Sequence, residues 1–231
     1  MPKIIYVDEQ PEQRNAMIRA VVLSGYFDED DIVALEPWPN LADMIAEIDE
    51  FHPLALITDF RLAEYMEGIS YDGVQLASRY LESRKDFPCF VTTGFAVDAA
   101  NAASPSVDVN AIFSKKESFD TNPAEDAAKA LPFFLRVKLK IDAHQKLITD
   151  TEHELWELRE KLIHEGLSPV EAERLLDVDG ELESMIGNEH KLPENLKQLA
   201  LKPLTDIVEK AGELLSRLEA IYPDDAGAAG A

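Results

Sequence analysis

Five side chains with chemical potential stand where predicted strands end. They are an acidic pair, a single aspartate, a threonine and a lysine: Asp8, Glu9, Asp59, Thr93 and Lys115. Because the carboxyl ends of parallel strands meet at one edge of a sheet, we expect these side chains to lie together. Three carboxylates repel one another unless a cation lies among them, and an all-oxygen donor set suits Mg²⁺. A carboxylate beside Mg²⁺ can act as a nucleophile toward a phosphoryl group, while the metal, the ammonium and the hydroxyl stabilise the charge on its oxygens.

The strand that ends in Asp59 is the predicted centre of the fold. Residues 54–59 form a short apolar run after Pro53, without a helical period. That profile is typical of a strand buried on both faces in a parallel sheet. Further strands are predicted at 3–7, 32–35, 88–92 and 109–113, with helices after Pro11, after Asn40, at 73–83 and at 97–103. Strands and helices that alternate in this way predict a doubly wound α/β domain with right-handed crossovers.

Beyond residue 122 the pattern is entirely helical. A seven-residue repeat has an apolar side chain at the same position of each repeat: Phe134, Ile141, Ile148, Leu155 and Leu162. This predicts a long helix in a loose coiled coil or an antiparallel bundle. The sequence Ser168-Pro169-Val170-Glu171 is a capping box that starts another helix. Turns are predicted at 179–180 and 192–193, a last helix from about 203 to 221, and a disordered tail at 223–231. Either the later helices fold back on the apolar row or a second copy of the chain covers it.

Composition excludes several classes of function. The formal charge of −23 argues against nucleic acid or an anionic membrane as a partner. A single cysteine, Cys89, excludes an internal disulfide and a cysteine metal cluster. Neither a signal segment nor an apolar run of membrane-spanning length is present, so we expect a cytoplasmic protein.

Four segments of the first half resemble the response-regulator receiver domain. They are residues 4–14 (Ile-Ile-Tyr-Val-Asp-Glu-Gln-Pro-Glu-Gln-Arg), Thr58-Asp59, Thr92-Thr93-Gly94 and Phe113-Ser114-Lys115. The resemblance covers about residues 2–119 and implies a flavodoxin-like five-stranded sheet of order 2-1-3-4-5. It also implies that Asp8, Glu9, Asp59 and the backbone carbonyl of Arg61 bind Mg²⁺, and that Asp59 accepts phosphate from a histidine kinase or a phosphotransfer protein. We therefore expect a receiver-like domain at 1–121 and a helical region at 122–222 that forms a homodimer or binds a downstream protein.

The sequence departs from that family at three points. The loop after Asp59 is long, Lys116 replaces the usual proline, and Ile112 stands at the usual aromatic switch position. The leading hypothesis is a Mg²⁺-dependent phosphoacceptor in a relay, with phosphorylation and dephosphorylation chemistry of its own rather than that of a conventional enzyme. The alternative is a phosphorylation-independent pseudo-receiver adaptor. A third hypothesis is a phosphotransfer protein that uses His153, although Trp156 and Glu157 replace the basic and small residues expected after it.

Overall fold

The computed structural model describes residues 3–64, 66–102, 107–119, 131–186 and 193–221. Strands and helices alternate along the first part of the chain, and helices follow. In order, the elements are β1 (Lys3–Val7), α1 (Pro11–Ser24), β2 (Ile32–Leu35), α2 (Leu41–Glu50), β3 (Pro53–Asp59), α3 (Gly73–Ser83), β4 (Cys89–Thr93), α4 (Ala96–Ala102), β5 (Ile112–Ser114), α5 (Lys115–Phe119), α6 (Phe133–His164), α7 (Pro169–Ile186) and α8 (Glu194–Ile221).

The strands form one parallel sheet in the order β2-β1-β3-β4-β5. This confirms the predicted α/β flavodoxin-like fold followed by a helical region. The central position of β3 follows from its composition, since its residues from Ala55 to Asp59 are all buried. Strands buried on both faces need helices above and below the sheet.

Alternation along the strands divides the core into two layers. On one face, Ile5, Val7, Leu56 and Val91 pack with apolar residues of α2 and α3. On the other face, a cluster that we call the α1/α6 core contains strand residues, residues of α1 and the beginning of α6: Ile4, Tyr6, Met17, Ala20, Val21, Ile32, Ala55, Ile57, Phe90, Phe113, Phe133, Phe134, Val137 and Ile141. Successive side chains of a strand point to opposite faces, which explains why neighbours in sequence belong to different layers.

The fifth strand is shorter than the sequence pattern predicts. Residues 109–111 form a single 3₁₀ turn, and the strand begins only at Ile112. The Asp108 carboxylate accepts hydrogen bonds from both the backbone and side-chain N–H groups of Asn110, at 2.8 and 2.9 Å. Such local side-chain bonds compete with strand pairing, so the turn replaces the first residues of the predicted strand.

The helical part differs from its prediction at two points. The turn predicted at 179–180 is wrong, because Asp179 is buried inside α7 and forms an ion pair with Lys197 of α8 at 2.5 Å. The last helix begins at Glu194 rather than near Pro203, so this proline lies within a helix that it was expected to start. The capping box is confirmed: the Ser168 hydroxyl accepts from the Glu171 N–H, and the Glu171 carboxylate accepts from the Ser168 N–H at 2.9 Å.

The chain divides into two compact units, Met1–Leu147 and Ile148–Ala231. In the second unit, Leu155 and Leu162 are buried in one cluster with apolar residues of α7 and Ala200 of α8. The domain boundary predicted at 121–122 and the predicted tail at 223–231 lie outside the described residues. Within the described ranges, no helix is long and apolar enough to cross a membrane.

Candidate functional site

Asp8 follows β1 directly and is completely buried. Its carboxylate oxygen Oδ1 accepts a hydrogen bond from the N–H of Gln10 at 2.8 Å. This bond closes a turn that leads the chain into α1, which has Pro11 at its first position. Its other oxygen, Oδ2, accepts the hydroxyl of Tyr6 at 2.5 Å. The Arg14 side chain donates to the Asp8 carbonyl at 2.7 Å. These contacts fix both the backbone and the side chain of Asp8 before any ligand binds.

Asp59 ends the central strand and is 4% exposed. The backbone N–H of Arg61 donates to its Oδ2 at 2.7 Å. Helix α3 begins against the same backbone, where the Gly73 N–H donates to the Phe60 carbonyl at 2.9 Å. Only a residue without a Cβ fits at position 73, because an added Cβ would lie far inside van der Waals contact with the Asp59 carbonyl oxygen. The start of α3 and the Asp59 carboxylate are therefore held by the same tightly packed backbone.

Lys115 joins the two aspartates. Its ammonium lies 3.0 Å from Asp8 Oδ2 and 2.8 Å from Asp59 Oδ1. The register of the sheet accounts for this arrangement, since the β5 residue Ser114 pairs with the end of β4 and the chain then turns toward the edge. Asp8 and Asp59 also continue the strand alternation of Tyr6 and Ile57, which face the α1/α6 core, and Lys115 begins α5 directly after β5. Strand period and register together bring them to one point.

Glu9 completes a cluster of carboxylates with Asp8 and Asp59, which we call the acidic cluster. One oxygen from each of the three lies within 4.8 Å of the other two, and all three residues are buried. The Gln10 side chain donates to Glu9 Oε1, whereas Oε2 is buried without a hydrogen-bond partner. Three carboxylates face one ammonium, so the formal charge in excess is two negative units. This donor set could bind a metal ion, and the unpartnered Glu9 oxygen is an available ligand.

Electrostatics in the acidic cluster follow from burial. Desolvation raises the pKa of Glu9, with Asp8 and Asp59 adding to the effect. Desolvation also raises the pKa of Asp59 and outweighs the contacts with Lys115 and the Arg61 N–H, which lower it. Burial alone would lower the pKa of Lys115, but its bonds and attraction to Asp59 and Asp8 raise it overall. One ammonium is shared by three acids. Lys115 therefore stays charged, whereas Glu9 and Asp59 are harder to ionise than free carboxylic acids.

The Thr93 hydroxyl and the Arg61 side chain have partners outside the acidic cluster, whereas the Arg61 backbone N–H donates to Asp59. The Thr93 hydroxyl oxygen accepts the Phe95 N–H at 2.8 Å, and Thr93 is buried. Among the described residues, no side-chain hydrogen bond joins Thr93 to the acidic cluster. The Arg61 guanidinium lies 3.4 Å above the centroid of the Phe95 ring and pairs with Asp98 at 3.5 Å. The proposed role of the Arg61 carbonyl as a metal ligand stays a prediction.

Tyr6 contacts the acidic cluster, and sequence reasoning gave it no role in the site. Its phenol is buried in the sheet, and desolvation together with the neighbouring Asp8 raises its pKa. The signal was available, because residues two apart in a strand share a face and Tyr6 precedes Asp8 by two. Gln10 also went without a predicted role, although its amide contacts Glu9.

His153 lies on the second unit, exposed on α6. It pairs with Glu157 at 3.6 Å and stacks on Trp156 with ring centroids 6.3 Å apart. These are contacts within one helix turn, and the phosphotransfer role of His153 stays a prediction.

Neither the models of known protein families nor the curated proteins that were searched gave a match for this chain. The five-stranded parallel sheet and the buried acidic cluster are compatible with a receiver domain. The functional argument therefore rests on the geometry of the site.

Proposed function

We propose that the first unit is a receiver that accepts a phosphoryl group on Asp59 in a Mg²⁺-dependent relay. The observation that carries this proposal is the position of the Asp59 carboxylate at the carboxyl edge of the sheet. One of its oxygens lies on the Lys115 ammonium and the other on the Arg61 N–H, and two further buried carboxylates lie beside it. A histidine kinase or phosphotransfer protein is the donor in this scheme, and the helical region contacts a downstream protein.

In the transfer step, a carboxylate oxygen of Asp59 forms a bond to phosphorus while the bond from phosphorus to the donor breaks. The donor nitrogen or oxygen leaves with the electron pair of that bond. Lys115 is already in contact with Asp59 and would pair with the transferred oxygens, because its ammonium is close enough to move between them and Asp8. The N–H of Arg61 keeps the carboxylate oriented, so little reorganisation is needed at the moment of transfer.

Mg²⁺ is the metal that we propose for this donor set. The three ligands are all carboxylates, and oxygen-only sites suit hard cations. When bound, Mg²⁺ would supply positive charge to the oxygens of the incoming phosphoryl group. Asp8, Glu9 and Asp59 would hold it, and Tyr6 and Gln10 would hold Asp8 and Glu9 in turn.

The decisive experiment measures the intact mass after incubation with acetyl phosphate and Mg²⁺. We expect the mass of one phosphoryl group to be gained by the parent and lost in Asp59→Asn. Asp142→Asn is the matched control, because Asp142 is an exposed carboxylate on α6 that pairs with Lys138. A parent that gains no mass under these conditions, or an Asp59→Asn variant that gains as much, would overturn the proposal.

A second candidate is a pseudo-receiver adaptor, and one observation favours it. The Lys115 ammonium bridges Asp8 and Asp59 directly, so the protein can hold two of its three carboxylates together without a metal. An adaptor of this kind would gain no mass from acetyl phosphate and would bind its partner equally well in a chelator.

A further inference from the structure

A cavity of about 590 Å³ opens at the end of the sheet opposite the acidic cluster. Its walls come from the residues that lead into β4 and β5 and from the first turns of α6. The acidic cluster, in contrast, follows the carboxyl ends of the strands. The volume lies within the range of about 300–1,000 Å³ that is typical of small-molecule sites. This cavity is therefore a second feature of the first unit, separate from the proposed phosphoacceptor.

Three aromatic rings line the cavity. Phe90 and Phe113 lie in neighbouring strands with ring centroids 6.2 Å apart, and Phe87 lies in the segment before β4. All three residues are less than a tenth exposed, so their rings are fixed by the surrounding core. Fixed rings favour a flat apolar partner, which can stack on them or meet them edge to face.

Three cations surround the same cavity: Lys85, Arg136 and Lys140. Arg136 donates its Nε–H to the Leu131 carbonyl at 2.9 Å and lies over the Phe113 ring, with Cζ 5.3 Å from the centroid. Among the residues that the structure describes, none of the three forms an ion pair with a carboxylate. In a chain with 45 acidic and 22 basic residues, three cations that line one cavity favour a negatively charged ligand, and Arg136 is the one of the three that also attracts a carboxylate outside the lining, that of Glu117.

Two carboxylates also line the cavity and reduce the negative charge that the ligand needs to balance it. They are Asp86, which precedes Phe87, and Asp108, whose Oδ1 is already bonded to Asn110. Three cations and two carboxylates leave one positive charge in excess. From the rings and this balance we infer that the cavity binds a small organic monoanion with a flat apolar body, such as an aromatic carboxylate.

The position of the cavity gives such a ligand a structural consequence. It would contact Phe113 of β5 and Arg136 of α6 together. Phe113 lies two residues before Lys115, so the ligand would contact the strand that directly precedes the lysine of the acidic cluster.

The test is a titration of the ¹⁵N-labelled full chain with 2-naphthoate and with its neutral analogue 2-naphthamide. Binding is measured from the NMR chemical shifts of the backbone amides. We expect saturable shifts at Cys89, Phe90 and Ala111 and a dissociation constant for naphthoate about tenfold lower than for naphthamide, the effect of one charge-assisted contact. Lys140→Gln and Lys85→Gln should each weaken naphthoate several-fold and leave naphthamide unchanged. Lys138→Gln is the matched control, because Lys138 lies on the same helix but pairs with Asp142.

Three results would overturn the inference. Equal affinities for the charged and neutral probes would remove the anion selectivity. Chemical-shift changes confined to amides elsewhere in the chain would show that the ligand binds at another site. The absence of saturable shifts up to about 10 mM, a concentration at which weak fragment-sized ligands still bind, would remove the site altogether.

Discussion

Replacing Gly73 by alanine should damage both the fold and the acidic cluster. Helix α3 begins against the end of β3, and the backbone of Asp59 occupies the space that a Cβ at position 73 would need. The added atom would lie 2.8 Å from both the Asp59 carbonyl carbon and Thr58 Oγ1, and nearer still to the Asp59 carbonyl oxygen. Since Cβ atoms essentially never approach other atoms within 3.0 Å, either α3 or the end of β3 must move.

The size of the effect follows from what has to move. The nearest obstructing atom, the Asp59 carbonyl oxygen, belongs to the backbone of a buried central strand and cannot rotate away, so the upper end of the usual cost of overpacking applies, about 3 kcal/mol. For a unit of roughly 150 residues, each kcal/mol lowers Tm by about 2–4 °C. We therefore expect Gly73→Ala to lower Tm by about 6–12 °C. Displacement of Asp59 should also weaken metal binding about tenfold or more, as loss of ligand orientation does elsewhere.

Gly180→Ala is the matched control for this prediction. Gly180 lies inside α7, and nothing lies within 4 Å of an added Cβ. Both substitutions restrict the unfolded chain equally, but Gly180→Ala should stabilise its helix by about 0.5–1 kcal/mol. Circular dichroism melts of the two variants and the parent give the comparison. A Gly73→Ala variant that melts within about 2 °C of the parent and binds metal normally would refute the steric argument.

Further predictions concern the charges of the acidic cluster. In metal-free buffer at about pH 7.5, Asp59→Asn should raise the urea concentration at the midpoint of unfolding, because burial disfavours the ionised Asp59. A lower midpoint would contradict this. The raised pKa values of Glu9 and Asp59 mean that the folded state binds more protons, so this contribution to stability is present at low pH and lost as pH rises through those values. Protons therefore compete with metal, and calorimetry should show weaker Mg²⁺ binding at about pH 5.5 than at about pH 7.5; equal affinity would count against the cluster as the site. Tyr6→Phe keeps the ring but removes the donor to Asp8, and it should lower Mg²⁺ affinity about tenfold with a normal melt; unchanged affinity would remove the positioning role.

The sheet and the acidic cluster could be predicted from sequence because their signals are local. Apolar runs, a proline near the start of α1 and a carboxylate after a strand each depend on a few neighbouring residues. The convergence of Asp8, Asp59 and Lys115 then follows from the parallel order of the strands. The contact between Gly73 and Asp59 could not be found in this way, since it depends on how closely α3 approaches β3.

The helical part shows where local signals mislead. Asp179-Gly180 has the composition of a turn, yet the apolar neighbours of this pair pack in one cluster, and Asp179 is paired with Lys197. Tertiary packing outweighs the helix cost of about 1 kcal/mol for one glycine. The apolar row of α6 was predicted to be buried, but sequence could not say by what: Phe134 and Ile141 belong to the α1/α6 core, whereas Leu155 and Leu162 pack with α7.

The aromatic contacts at the beginning of α6 suggest how a phosphoryl group on Asp59 would be sensed. Phe113 contacts Phe133, the first residue of α6, with ring centroids 5.0 Å apart. If Lys115 turned from Asp8 toward a phosphoryl group, the end of β5 would move, and close-packed rings transmit such shifts rather than absorb them.

This route predicts a response in α6 instead of a rotating ring at Ile112, which packs on the opposite face of the sheet. Hydrogen exchange with and without beryllofluoride, a mimic of the phosphoryl group, should change protection in residues 131–147 as well as around Asp59. Lys115→Ala should leave Asp59 phosphorylatable but abolish the change in α6, because the phosphoryl group then lacks its link to β5. Changes confined to the loops around Asp59 in the parent would disprove this coupling and favour the adaptor hypothesis.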